Sequence, residues 1–250
     1  MKTLLHAEKI CHTYNETPIL SDIDLTIREG EFLAIMGQSG SGKSTLLYLL
    51  SGMEHPSAGS ITFNGHELSS LGDREMSQIR LHEMGFVFQS AGLISSLNVR
   101  DNILLPGLKA RKKNEKAVLK NAEEWMKKTD ITDIADHDIN KVSGGQLQRA
   151  AVCRALINEP GILFADEPTG ALNRSSTAGV MDILNLIHEE GRTIIIVTHD
   201  AKVASRAERV LFLADGRIRS ELEFGRYSNE EDKRREREKL MSDWLDEQGF

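Results

Sequence analysis

Four short stretches of this chain are apolar without polar/apolar alternation: Glu31 to Met36, Met84 to Phe88, Gly161 to Ala165 and Thr193 to Val197. Unbroken apolar runs of this length predict strands covered on both faces, the mark of a parallel sheet. Between them lie helical patterns. Lys43 to Ser51 stops at Gly52, and Val180, Ile183, Leu184 and Ile187 repeat at helical spacing ahead of Gly191. Strands alternating with helices predict an α/β core.

Elsewhere the pattern changes. Ile10, Tyr14, Ile23, Leu25 and Ile27 stand among polar neighbours and predict antiparallel strands, as do Ser60 to Phe63 and Arg209 to Ala214. Asp215-Gly216 after the last of these is a hairpin turn signal. These segments are expected to form an antiparallel side sheet. From about Ser90 to Lys141 the chain turns to Lys, Glu and Asn with scattered Leu, Val, Trp125 and Met126, which predicts a mostly helical insert. From about Tyr227 the tail is a mixed-charge helix candidate. Its Leu240, Met241, Trp244 and Leu245 cluster on one face, and Glu230 with Arg234 and Glu231 with Arg235 have supporting i,i+4 spacing. The expected organisation is a core of residues 1–89 with 141–225, a helical subdomain of 90–140 and a charged C-terminal helix of 226–250, without internal repeats.

A chain of 250 residues, 40% hydrophobic and 28% charged, suits one α/β domain with a smaller insert. The net charge of −7 argues against a sequence-independent nucleic-acid binder, which needs a clustered positive surface. Lys109, Arg111, Lys112, Lys113 and Lys116 do cluster, and read as a solvated helix face, with contact to anionic lipid or a membrane partner as the alternative. With only Cys11 and Cys153, and an N-terminus lacking a long apolar stretch, neither a disulfide framework nor a signal peptide is expected. A cytoplasmic protein is the expectation. No apolar run approaches the ~20 residues of a membrane-spanning helix. If the chain serves transport, the pathway must belong to another polypeptide.

Candidate chemistry gathers at the ends of the four buried strands. Gly37, Gln38, Ser39, Gly40, Ser41, Gly42, Lys43 and Ser44 fit G-x-x-x-x-G-K-[ST] between a predicted strand and a predicted helix. In such a loop, backbone N–H groups and a helix N-terminus close around phosphates, Lys43 reaches the terminal phosphates and the Ser44 hydroxyl ligates Mg²⁺. Asp166 and Glu167 end another strand, where an Asp can hold Mg²⁺ and a neighbouring Glu can act as general base toward water. Gln89 and Thr198-His199-Asp200 follow the other two. Open α/β sheets bind their ligands at these carboxyl ends. Finally, Ser143-Gly144-Gly145-Gln146 opens an apolar-periodic helix with capping-box spacing. Two glycines cost helix stability, and make more sense where backbone N–H groups approach an anion.

Together these motifs resemble the ABC ATPase family over residues 1–222, the S-G-G-Q element separating it from other phosphate-loop ATPases. The resemblance implies a phosphate-loop NTPase core with a mostly parallel sheet, an antiparallel side sheet and a helical insert. It further implies a homodimer in which Gly37 to Thr45, Gln89, Asp166, Glu167 and His199 of one copy face Ser143 to Gln146 of the other across ATP. Glu167, His199 and Gln89 are then catalytic, Ser44, Gln89 and Asp166 hold Mg²⁺, and Tyr14 stacks on adenine unless it is only a half-buried strand residue. The wording around Gly37 to Thr45, Val87 to Gln89 and Ala165 to Leu172 is most similar to the branch serving macrolide, lipoprotein and antimicrobial-peptide systems. That implies an ATPase subunit peripheral on the inner membrane face, driving a separate transmembrane permease. Mechanical signalling or envelope remodelling through a membrane partner is the alternative. A soluble role in translation or DNA repair would bring two cassettes or long coiled-coil inserts, and neither is seen. Two departures stand out: Val142 for the usual Leu before S-G-G-Q, and Asn173 for the usual Asp after the Asp-Glu strand. The second puts communication between the two sites in question, unless Asn173 simply caps the following helix.

Overall fold

In the computed structural model, which describes residues 2–110 and 114–250, each unbroken apolar run becomes a buried strand. Arg111, Lys112 and Lys113 of the basic cluster lie outside the described residues. The chain runs through β1 (Thr3–Tyr14), β2 (Thr17–Arg28), β3 (Phe32–Met36), α1 (Lys43–Leu50), β4 (Ala58–Phe63), β5 (His66–Glu67) and α2 (Asp73–Glu83). It continues through β6 (Met84–Phe88), α3 (Val99–Ala110), α4 (Glu115–Lys128), α5 (Gly144–Leu156), β7 (Ile162–Asp166) and α6 (Arg174–Glu189). Last come β8 (Thr193–Val197), α7 (Ala201–Ala204), β9 (Arg209–Ala214), β10 (Arg217–Glu223) and α8 (Glu231–Glu247). Contacts divide it into two compact units, Met1–Met76 with Thr193–Phe250, and Ser77–Arg192.

In the first unit β3 is buried at every position and pairs in parallel with β8 on one side and β9 on the other. The expectation that Arg209–Ala214 joins the side sheet is overturned. Its Val210, Leu211, Phe212 and Leu213 are all buried, and a strand covered on both faces belongs in the parallel layer beside β3 rather than in a half-exposed sheet. β10 pairs antiparallel with β9 through a turn in which Asp215 (φ 50°) and Gly216 (φ 68°) both take left-handed backbone, as a tight hairpin demands. The antiparallel side sheet has the order β2-β1-β4-β5, so the first thirty residues and Ser60 to Phe63 do pair there.

The tail helix docks on its own unit. Arg237, Met241, Trp244 and Leu245 turn inward, a stripe at helical spacing, and the helix packs against α7. Leu240, expected on that face, stands 48% exposed because it is rotated one residue away from Met241. Glu231 pairs with Arg235 as its spacing predicts, whereas Glu230 takes Lys233 at 2.8 Å and Arg234 turns to Glu238.

The second unit is built on the parallel pair β6 and β7, in register from Met84 opposite Ile162 to Phe88 opposite Asp166. Helices α3 and α4 pack against α5, with Val118, Ala122, Trp125 and Met126 forming the buried face of α4. α6 packs on α5 as well.

Candidate active site

The phosphate-loop candidate leaves the end of β3 and enters α1 through Gly42, whose left-handed backbone (φ 98°) no β-substituted residue takes at low cost. The N-cap of α1 is Gly42, which has no side chain to cap the helix, and the N-terminal end of a helix favours an anion. Lys43 is buried, its Nζ donating to the carbonyls of Gly37 at 2.9 Å and Gln38 at 2.8 Å, which holds a positive charge against the loop. Gln38, Ser39 and Gly40 are exposed, Ser41 is buried, and Ser44 and Thr45 are half-buried in the first turn of the helix.

Tyr14 ends β1 with 43% of its surface exposed, more open than a half-buried strand residue. Its hydroxyl donates to the Glu54 carboxylate, shortly after the end of the helix that carries the phosphate loop. The Glu54 hydrogen bond, followed by burial, raises the phenol above its ordinary pKa. The His12 ring meets it edge-on at 4.7 Å. At the end of β8, His199 is exposed between Thr198, whose Oγ accepts the Asp200 N–H at 3.0 Å, and Asp200, whose carboxylate caps α7.

In the second unit, β6–β7 pairing sets Gln89 and Glu167 one residue beyond Phe88 and Asp166, which oppose each other. Their side chains converge on Gly170. A Cβ there would lie 2.8 Å from Gln89 Nε2 and 3.1 Å from Glu167 Oε2, so this position admits no side chain without displacing one of them. Glu167 itself has φ 44°, a left-handed conformation that costs an ordinary residue ~1–2 kcal/mol. Two residues that sequence reasoning missed hold Gln89 in place. Gln148 donates to the Phe88 carbonyl at 2.9 Å, and Arg154 donates to those of Ala91 at 2.8 Å and Gly92 at 2.6 Å. Burial lowers the Arg154 pKa. Their signal was a polar side chain on the apolar face of α5, visible as a break in an otherwise regular pattern.

The S-G-G-Q element opens α5 as a complete capping box. Ser143 Oγ accepts the Gln146 N–H at 3.4 Å, and Gln146 Oε1 accepts the Ser143 N–H at 2.9 Å. Gly145 is explained within the chain, since a Cβ would come within 2.7 Å of Ser176 Oγ on α6. Gly144 is exposed and meets nothing nearer than Leu172 at 3.6 Å, so packing does not require it. Asn173 is the N-cap of α6, its Oδ1 accepting the Ser176 N–H at 2.9 Å and the Ser175 hydroxyl at 2.9 Å.

Comparison with known proteins agrees with this chemistry. Residues 20–170 match the family model described as ABC transporter. A bacitracin export ATP-binding protein of Halalkalibacterium halodurans is 42% identical over 89% of both chains. A macrolide export ATP-binding/permease protein of Campylobacter jejuni is 39% identical over 87% of this chain, which spans 34% of that protein's length. Among solved structures, the dimeric ATP-binding cassette MJ0796 in a post-hydrolysis state with ADP and phosphate superimposes with TM-score 0.79 at 34% identity, covering 90% of this chain and all of that one. The protein cbiO1 of Clostridium perfringens, part of the ABC transporter complex cbiONQ, gives 0.81 at 30% identity, over 88% of each chain. The chain belongs to the ABC transporter family, and the domain it carries is that family's ATPase cassette.

Proposed function

We propose that this chain binds Mg²⁺-ATP, closes on a second copy of itself and hydrolyses the nucleotide to drive a membrane permease carried on a separate polypeptide, with a peptide antibiotic of the bacitracin kind as cargo. The observation that carries the reading is the loop Gly37 to Thr45, with buried Lys43 held on its carbonyls and the N-terminus of a helix behind it. That is a cradle for a polyphosphate. The near-full-length match to a bacitracin export ATP-binding protein supports the cargo class. Among the described residues no helix is long and apolar enough to cross a membrane, which fits a subunit held at the cytoplasmic face of the membrane by its permease.

Each side chain then has a role. Lys43 neutralises charge on the terminal phosphates, and Tyr14 stacks on the base. Glu167 accepts the proton of the attacking water, while Gln89 and His199 orient that water and the terminal phosphate. Ser44, Gln89 and Asp166 would hold Mg²⁺, which screens phosphate charge when bound. Ser143 and the exposed Gly144 would meet the phosphates bound to the partner copy, which accounts for a glycine that packing does not need. The expected result is Mg²⁺-dependent ATP turnover that disappears in Lys43→Ala, together with a membrane permease co-purifying with the tagged chain. Absence of turnover in the folded wild-type protein with its permease would overturn the proposal.

A further inference from the structure

Helix α8 supplies none of the nucleotide-site residues, yet it is fastened to the strand beside the phosphate loop. Arg237 is 9% exposed and lies in the inward stripe where an apolar residue would be expected. Its guanidinium donates to the carbonyls of Ser205 at 2.9 Å and Ala207 at 2.5 Å, which precede β9. It also donates to those of Phe224 at 3.3 Å, Gly225 at 3.0 Å and Arg226 at 3.2 Å, which follow β10. One side chain thus ties the chain entering the β9–β10 hairpin to the chain leaving it, a fork-shaped task that an ammonium cannot copy.

Two turns along, Trp244 Nε1 donates to Ser220 Oγ of β10 at 3.1 Å, and the indole meets Phe212 edge-on at 6.1 Å. Phe250 also meets Phe212 edge-on, at 5.8 Å. Phe212 is the β9 residue paired with Met36, the last residue before the phosphate loop. The next residue, Leu213, sets the clearance of Gly37: a Cβ on Gly37 would come 2.0 Å from the Leu213 carbonyl oxygen. In a close-packed layer a small shift of β9 is passed on to its neighbour rather than absorbed.

We propose that α8 is a brace for nucleotide binding, with Arg237 and Trp244 as positioning residues that fix β9 and, through it, the first residue of the phosphate loop. The inference rests on the reading of Gly37 to Thr45 as the nucleotide cradle. Its test is the affinity for Mg²⁺-ADP by titration calorimetry, with KM and kcat for ATP, on the full chain well below the melting temperature of each variant. Trp244→Ala and Arg237→Met are expected to weaken binding and raise KM roughly three- to tenfold, with kcat changed far less. Trp244→Phe, which keeps a ring against Phe212, should recover most of the affinity, and Leu240→Ala, exposed on the same helix, should match wild type. Should the two stronger variants fail to fold, Trp244→Phe against Arg237→Lys provides the comparison, and Arg237→Lys should then be the weaker binder. A lowered Tm with unchanged nucleotide affinity would overturn the brace while leaving the ATPase reading intact. A folded wild-type chain that binds no nucleotide would overturn both.

Discussion

Glu167 combines a role in chemistry with a strained backbone, and the two can be separated. Its φ of 44° costs ~1–2 kcal/mol in a residue with a Cβ, whereas glycine adopts it freely at an unfolded-state entropy cost of roughly 0.5–1 kcal/mol. Glu167→Gln is therefore expected to retain nucleotide binding and wild-type Tm while turnover drops ~10²–10⁴-fold, because an amide cannot accept the proton. Glu167→Gly should lose turnover equally yet melt at or above the wild-type temperature, and paired ATPase and thermal-unfolding measurements check both. Near-normal turnover in the Gln variant would remove Glu167 as the base. Cys153 provides a second residue-scale test. Burial pushes its thiol up to about 12. Because the folded protein holds this proton more tightly than the unfolded chain, the stabilisation is complete below the ordinary thiol pKa and is lost as pH rises toward the folded value. At pH 8 a thiol reagent should label partly exposed Cys11 alone, and Cys153 only after denaturation. Rapid native labelling at Cys153 would contradict its burial.

At the scale of elements, the strands of the parallel layer were legible because burial on both faces leaves an unbroken apolar run. β9 carries the same run, Val210 to Leu213, but the Asp215-Gly216 turn beside it signals only the hairpin with β10 and not the pairing with β3. A turn signal specifies one partner of a strand and says nothing of the other. The strand-end motifs Gly37 to Thr45, Gln89, Asp166, Glu167 and His199 could be read from sequence, since each follows such a run. Gln148 and Arg154 left only a break in the apolar pattern of α5 that names no partner, because their partners, like those of Arg237, are backbone carbonyls, which leave no trace in residue types. Asn173 illustrates the case where two readings competed. With its Oδ1 on the Ser176 N–H it caps α6, so Asn173→Ala should cost ~1 kcal/mol of stability. Asn173→Asp keeps the acceptor and adds charge favourable to the helix N-terminus, so stability should hold or rise slightly and the ATPase rate change by less than about tenfold. A hundredfold gain in rate would instead mean that the natural asparagine slows the enzyme.

Whole-molecule function turns on whether one chain is sufficient. The phosphate loop belongs to one compact unit and the S-G-G-Q helix start to the other, and the proposed site draws these two elements from different copies. The MJ0796 cassette, matched over 90% of this chain, is dimeric in its post-hydrolysis state. Complementation tests the two-copy site. Lys43→Ala removes the cation held on the Gly37 and Gln38 carbonyls, and Ser143→Arg places a bulky charge at the exposed start of α5. Each protein alone should be inactive, because both sites of its homodimer carry the lesion. Ser143→Arg also removes a cap worth ~1 kcal/mol, so its folding must be checked by thermal unfolding first. In an equal mixture about half of the dimers are mixed, and each of these has one site free of both lesions and one carrying both. ATP turnover should therefore reappear at up to about a quarter of the wild-type rate, scaling with the mixed fraction measured by pulling on a tag present on one partner only. Turnover that stays at the sum of the parents while mixed dimers are recovered would mean that the two elements do not share a nucleotide, and the two-copy site would have to be abandoned.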